Sequence, residues 1–264
     1  MDRCVSICDI YPVNLRQGAE TIGCHPTPYS DYRRLLERKD IDAVFIATPL
    51  YLHAPMLIDS LEAGKHVYIE KSLFFKEAEL QPILQVARSH PKQVIQVGLQ
   101  CRSSGIYKTG MEMIRKGVLG NLTFAHAQWH RLSNWRRPVV DPQLERLINW
   151  RMYRKYSGGL MAEWASHQVD VVNWAFDSHP ISVVGMGGID YWRDGRENCD
   201  NVQALFQYPQ GRKLVYSAIL SNSRRYEYEE ICGDQGTLEV SLENSALYFR
   251  EPEIKVTATV PKEN

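Results

Sequence analysis

The chain has 264 residues, 44% hydrophobic and 23% charged, and its 31 Lys and Arg balance 31 Asp and Glu. That length accommodates two modest domains. The charge balance, with only the isolated pairs Arg136-Arg137 and Arg224-Arg225, argues against a nucleic-acid partner, and no run approaches the roughly 18 apolar residues needed to span a bilayer. The opening MDRCVSICDIYP lacks the long apolar core of a signal peptide, so a cytoplasmic protein without a membrane partner is expected.

In chain order, RCVSICD (3–9) reads as a strand, residues 13–22 as a helix and DYRRLLERKD (31–40) as a second helix. DAVFIATP (42–49) is a continuous apolar run closed by Thr48 and Pro49, the pattern of a strand buried on both faces of a parallel sheet. HAPMLIDSLEAGK (53–65) is an amphipathic helix ended by Gly64. HVYIE (66–70), KEAELQPILQVARSH (76–90) and QVIQVGLQ (93–100) continue the alternation of strand, helix and strand. This pattern gives an α/β fold with a parallel sheet. After Arg102 the alternation stops. Residues 105–117 are helical in pattern, LTFAHAQWHRL (122–132) alternates with period two, and a helix is expected from Leu160 to Phe176. Six strands follow: ISVVGMGGIDYW, NVQALFQYP, KLVYSAIL, RYEYEEICG, GTLEVSLE and SALYFR. Strands in succession after one helix predict an α+β domain on a large, open, mainly antiparallel sheet. The expected division is therefore 1–101 and 102–264.

Cys4, Cys8, Cys24, Cys101, Cys199 and Cys232 form no CxxC pair and are read as free thiols. His126 and His130 lie four apart without a carboxylate or thiol at ligand spacing, so no metal site is expected.

The strand ends carry the chemistry. Ligands of a doubly wound sheet bind outside the carboxyl ends of its strands, where Asp9, Thr48, Pro49, Glu70, Lys71 and Gln100 lie. Asp9 is placed to accept from the ribose hydroxyls of NAD, which favours NAD over NADP, although an Asp before Pro12 serves equally as a turn former. In YSGGLMAEWASHQVDVVNW (156–174), Gly158 and Gly159 allow close backbone approach ahead of a helix. On that helix Glu163, His167 and Asp170 are spaced by four and three and share one face. Viewed alone, Glu163 and His167 could equally be an exposed helix pair worth about 0.3 kcal/mol.

These stretches resemble the Gfo/Idh/MocA family of nicotinamide-dependent sugar and polyol oxidoreductases. The similar segments are DAVFIATPLYLHAPMLIDSLEAGKHVYIEKS, VGLQCR, GNLTFAHAQWH, SGGLMAEWASHQVDVVNW, DNVQALFQYPQGRKLVYS and GDQGTLEV, in the family's order over most of the chain. The resemblance implies a partial Rossmann domain followed by a substrate and oligomerisation domain, NAD as cofactor, and oxidation of a sugar or polyol hydroxyl by hydride transfer. It implies catalytic roles for Lys71, beside the nicotinamide, for His167 as the base, and for Glu163 as its orienting partner or as a hydroxyl ligand. His53 and the pair Trp150-Arg151 join the expected cofactor contacts. The strand face with Phe124, His126, Gln128 and His130, together with Asp170, is expected to meet the sugar. A homo-oligomer built through the C-terminal sheet is expected as well.

Two residues depart from the family pattern: Ser72 stands where a proline is usual, which is expected to loosen Lys71, and Glu163 stands for aspartate. There is also no GxGxxG, so the sequence reads as a fragment or truncated gene product lacking the first strand and phosphate-binding turn. Weak NAD binding or none is expected of it. Two other readings stay open: cleavage of glycosidic bonds by transient oxidation with retained NAD, and a non-catalytic homologue.

Overall fold

A computed structural model describes residues 4–241 and 246–252. The chain divides into two compact units: residues up to Gly98 with Arg154–Gly158, and Leu99–Tyr153 with the residues from Gly159 onward. The break thus falls at Gly98 instead of after residue 101. Arg154–Gly158, expected in the second domain, fold with the first, where the Tyr156 ring meets Tyr51 edge-on at 5.0 Å.

The first unit runs β1 (Ser6–Cys8), α1 (Pro12–Ile22), β2 (Thr27–Tyr29), α2 (Tyr32–Leu36), β3 (Ala43–Ile46), α3 (His53–Glu62), β4 (His66–Ile69), α4 (Leu80–Ser89) and β5 (Ile95–Val97). Local chemistry explains the helix ends. Pro12, which has no N–H to leave unsatisfied, opens α1, and Gly23 closes it at φ 70, a conformation open to glycine. Asp31 caps α2 by accepting from the Arg33 N–H.

All strand pairs in this unit are parallel, as the alternation predicts, but they form two sheets, β1-β2 and β3-β4-β5. Helices α3 and α4 cover one face of the larger sheet, burying Ile46, Val67 and Ile69 against Leu57, Leu61 and Ile83. The other face is open: Phe45 is 66% exposed and stacks on Tyr68 at 4.5 Å. The expectation that residues 42–49 are buried on both faces is therefore corrected. A continuous apolar run cannot reveal whether a layer covers each side.

The second unit contains α5 (Gly105–Arg115), β6 (Leu122–His130), α6 (Glu145–Ile148), a π turn at Met161–Ala165 leading into α7 (Ser166–Phe176), and six strands. These are β7 (Ser182–Gly188), β8 (Asn201–Gln207), β9 (Lys213–Ile219), β10 (Glu227–Gly233), β11 (Gly236–Val240) and β12 (Ala246–Arg250). They form one sheet in the order β12-β11-β10-β6-β9-β8-β7, antiparallel throughout except for the parallel pair β6-β9. All six expected C-terminal strands are present; positions 242–245, where two of those segments meet, lie outside the described residues.

Alternation sorts the sheet's faces. Ala125, Ala127 and Trp129 of β6 and Leu214, Tyr216 and Ala218 of β9 are buried with Tyr107 and Met111 of α5 and Val171, Val172 and Phe176 of α7. The two alanines leave room for a helix to lie close to the strands. The opposite face exposes Leu205, Val215 and, on the edge strand, Met186. All six cysteines are free. Among the described residues no helix is long and apolar enough to cross a membrane, and no cluster of His, Cys, Asp and Glu could hold a metal ion.

Candidate functional site

In the first unit, the strand ends deliver the expected groups. After β1, Asp9 accepts from the Tyr11 N–H at 2.7 Å and from the Asn14 amide at 3.2 Å, so it does form the turn that the sequence allowed. After β3 and β4 come Thr48-Pro49 and Glu70-Lys71. His53 has a different task from the expected cofactor contact. It is 2% exposed, with Nε2 2.9 Å from the Thr48 carbonyl and Nδ1 2.7 Å from the Ser72 carbonyl. Both ring nitrogens are engaged by backbone, so His53 ties the chain just after Lys71 to the end of β3. That bond opposes the loosening expected from the missing proline. The Lys71–Ser72 peptide is cis.

Gly98, just past β5, went unnoticed in the sequence. A Cβ there would lie 2.8 Å from the Tyr68 hydroxyl and 3.1 Å from both Glu70 carboxylate oxygens, so any side chain displaces the pair. Burial and the adjacent Glu70 carboxylate push the Tyr68 phenol up. The available signal was an isolated glycine at a strand end.

In the second unit, the functional helix is not one continuous α-helix. The Ser166 N–H bonds the Met161 carbonyl five residues back, and this π turn rotates Glu163 relative to the helix that follows. Each of the three expected residues has a partner from outside this helix. Glu163, 6% exposed, accepts from Arg151 Nε at 2.9 Å, and the same guanidinium lies 4.3 Å over the Trp150 ring. His167, 5% exposed, leans on Trp129 at 5.7 Å. Trp129 stacks on Trp164 at 5.4 Å, and Trp164 meets Trp135 edge-on at 5.0 Å. Asp170 is held in a two-bond fork by Arg102, both bonds at 2.8 Å. Gly159 precedes the π turn at φ 61, with the Asn198 side chain 3.3 Å from where its Cβ would stand.

The structure thus brings Trp150, Arg151 and Glu163 together and sets His167 against Trp129, a residue the sequence did not single out. Gln100 opens a 3₁₀ turn, Gln100–Ser103, and is exposed.

The expected sugar-facing residues of β6 are not brought to His167. Trp129 touches His167, and alternation then puts His126, Gln128 and His130 on the opposite sheet face. There His126 Nδ1 is 2.9 Å from the Tyr228 hydroxyl, Gln128 donates to the Arg224 carbonyl at 3.0 Å, and His130 Nε2 is 2.8 Å from Ser217 Oγ. Burial lowers the pKa of both imidazoles. Period two shows which residues share a face, not which face receives the helix.

Residues 2–99 match the family described as an oxidoreductase family with an NAD-binding Rossmann fold, and residues 107–239 match the GFO/IDH/MocA C-terminal domain. The chain belongs to the GFO/IDH/MocA family. It is 29% identical over 184 residues to the uncharacterized oxidoreductase YrbE of Bacillus subtilis, covering 69% of this chain and 49% of that protein. It is 30% identical over 162 residues to a glycosyl hydrolase family 109 protein of Shewanella sp. strain ANA-3, covering 56% and 33%. With the inositol 2-dehydrogenase of Salmonella paratyphi B it shares 26% over 170 residues, 64% and 46% of the two chains. The chain spans about half the length of these relatives, or less. Among solved structures, an oxidoreductase domain protein from Kribbella flavida superposes with a TM-score of 0.81 at 23% identity, over 94% of this chain and 68% of that one. A levoglucosan dehydrogenase in complex with NADH and levoglucosan gives 0.80 at 21%, over 96% and 68%. At these identities the likeness establishes the fold.

Asp9 follows β1, while Thr48-Pro49 and Glu70-Lys71 follow the adjacent strands β3 and β4 of the other sheet. Among the described residues no glycine-rich turn joins a strand to a helix N-terminus, the device that takes a pyrophosphate.

Proposed function

We propose that the protein is an NAD-dependent oxidoreductase that removes hydride from a hydroxyl-bearing carbon of a sugar or polyol. The observation that carries the reading is the joint family match, an NAD-binding Rossmann segment and its partner C-terminal domain in one chain. The relative named inositol 2-dehydrogenase and the structure with levoglucosan support a polyhydroxylated substrate.

When bound, the nicotinamide accepts the hydride. His167 takes the hydroxyl proton, because an imidazole ordinarily titrates near pH 6.5, within the working range. Lys71 hydrogen-bonds the reacting oxygen, held in place through the His53 bond to Ser72. Glu163, paired with Arg151, orients groups beside His167. Asp9 receives ribose hydroxyls, and Thr48, Pro49, Glu70, Gln100, Trp150 and Arg151 border the cofactor. A second copy pairs on the open face of the seven-stranded sheet, where Val184, Met186, Leu205 and Val215 line a concavity of about 760 Å³.

The test is NADH formation with a panel of inositols, hexoses and anhydrosugars, after NAD affinity has been measured by calorimetry. Lys71→Ala and His167→Ala are expected to lower turnover by about 10² to 10⁴. Unchanged turnover in both variants overturns the assignment. The family 109 relative favours a second reading, glycoside cleavage with retained NAD. Release of an aryl leaving group without net NADH would select it.

A further inference from the structure

Beneath α7 lies a buried acid that the proposed reaction does not use. Glu229 of β10 stands opposite Ala127 of β6, which is level with Tyr216 of β9, so all three share the sheet face that carries α7. Glu229 is 1% exposed. From α5, the Tyr107 hydroxyl donates to Glu229 Oε2 at 2.7 Å. From α7, the Gln168 side chain reaches the same carboxyl. Gln168 Nε2 also donates to the Gln128 carbonyl of β6 at 2.5 Å and the Tyr228 carbonyl of β10 at 3.3 Å. One amide therefore ties α7 to two adjacent strands, and that amide belongs to the residue next to His167.

The surroundings indicate which form of Glu229 they suit. Gln168 Oε1 is buried and has no hydrogen-bond partner among the described residues; the Tyr216 hydroxyl is in the same state. A carboxylate only accepts, whereas a carboxylic acid also donates. The titratable groups facing Glu229 are Glu227 on its own strand, Tyr107 on α5, Tyr216 on β9 and Cys101 in the turn Gln100–Ser103. None of them is a cation. On α7, His167 and Asp170 flank Gln168, with Asp170 already forked by Arg102. The cross-strand neighbour on β11 is Val240. Burial pushes the Glu229 carboxyl up to about 8 with the help of Glu227, against the hydrogen bonds from Tyr107 and from the Gln168 amide, both of which favour the carboxylate.

We propose that Glu229 is a positioning residue for His167: in its protonated form it donates to Gln168 Oε1, completes the bonding of that amide and fixes the turn of α7 that presents the imidazole. Loss of the proton puts a charge among the groups named above, draws the Gln168 N–H from the strand carbonyls toward the carboxylate, and shifts the His167 ring against Trp129. The functional meaning rests on the reading of His167 as the base; the coupling itself does not, and it is measured without substrate.

The experiment is a pH titration, from 5.5 to 9.5, of the full chain labelled with ¹³Cε1-histidine, the His167 resonance being assigned by its loss in His167→Asn. Besides its own ionisation, His167 is expected to show a second inflection near pH 8. Glu229→Gln, which keeps the amide partner but cannot ionise, removes that inflection. Tyr107→Phe, which deletes a bond that favours the carboxylate, moves it to higher pH, and this variant serves should Glu229→Gln not fold. Absence of the inflection in the wild type, its persistence in Glu229→Gln, or no movement in Tyr107→Phe overturns the proposal. Normal coupling with undiminished hydride transfer in His167→Asn sinks the catalytic reading alone.

Discussion

The two units carry strands of similar apolar content to different outcomes. In the second, seven strands close into one sheet whose buried face is filled by α5 and α7. In the first, parallel strands of three or four residues stand in two sheets; α1 buries none of its residues, and the apolar core is confined to β3, β4, α3 and α4. Strand-forming sequence is thus not sufficient for a strong core. Stability comes from a layer on the other side of the sheet, and β3 has only one such layer.

All six tryptophans lie in the second unit, so their fluorescence reports that unit alone, while far-UV circular dichroism reports both. The contrast between units breaks most sharply at Leu57, fully buried under β4. Leu57→Ala is expected to cost about 3 kcal/mol. Circular dichroism should show an early urea transition while the fluorescence midpoint stays fixed; joint movement of both would mean that the units unfold as one.

Glu229→Gln tests the second unit through pH. The unfolded carboxyl loses its proton near the ordinary value of 4.5 and the folded one near 8, so between these values the folded state holds more protons and stability falls as pH rises. The wild type is expected to lose up to about 1.4 kcal/mol per pH unit relative to Glu229→Gln across that window. Fluorescence-detected urea midpoints at pH 5, 6.5 and 8 would show it, and parallel curves would refute it.

Asp200 probes the loop beside β8. Its carboxylate accepts from the backbone N–H groups of Asp190, Tyr191 and Trp192, and these bonds outweigh burial and hold its pKa below the ordinary value. Asp200→Asn should cost about 1 to 2 kcal/mol near neutrality. The wild-type advantage is present above the ordinary aspartate range and is lost as pH falls through the depressed value. At the small end, Arg33→Ala removes an exposed partner of Asp59 and should cost no more than about 0.5 kcal/mol in the first unit.

Much of this architecture was legible in the sequence. Apolar runs and glycine or proline punctuation located β3, β4, β6 and all six later strands, and the matched segments identified the family. What escaped depended on the third dimension. The π turn at Met161–Ala165 has no periodic signature, so the pairing of Glu163 with Arg151 was not foreseen. The orientation of β6 put His126, Gln128 and His130 on the face away from α7, because only packing shows which side receives the helix. Arg102, Arg151 and Glu229 find their partners across distances in sequence that pattern reading does not bridge.

The parallel pairing of β6 with β9 has a kinetic corollary. Strand β6 forms early in the second unit, yet both of its neighbours, β9 and β10, come from much later in the chain. Its ladder cannot close until most of the unit has left the ribosome, which gives this sheet high contact order and slow acquisition of its centre. Until then α7 has no finished platform, and the imidazole it carries is among the last groups to be set in place.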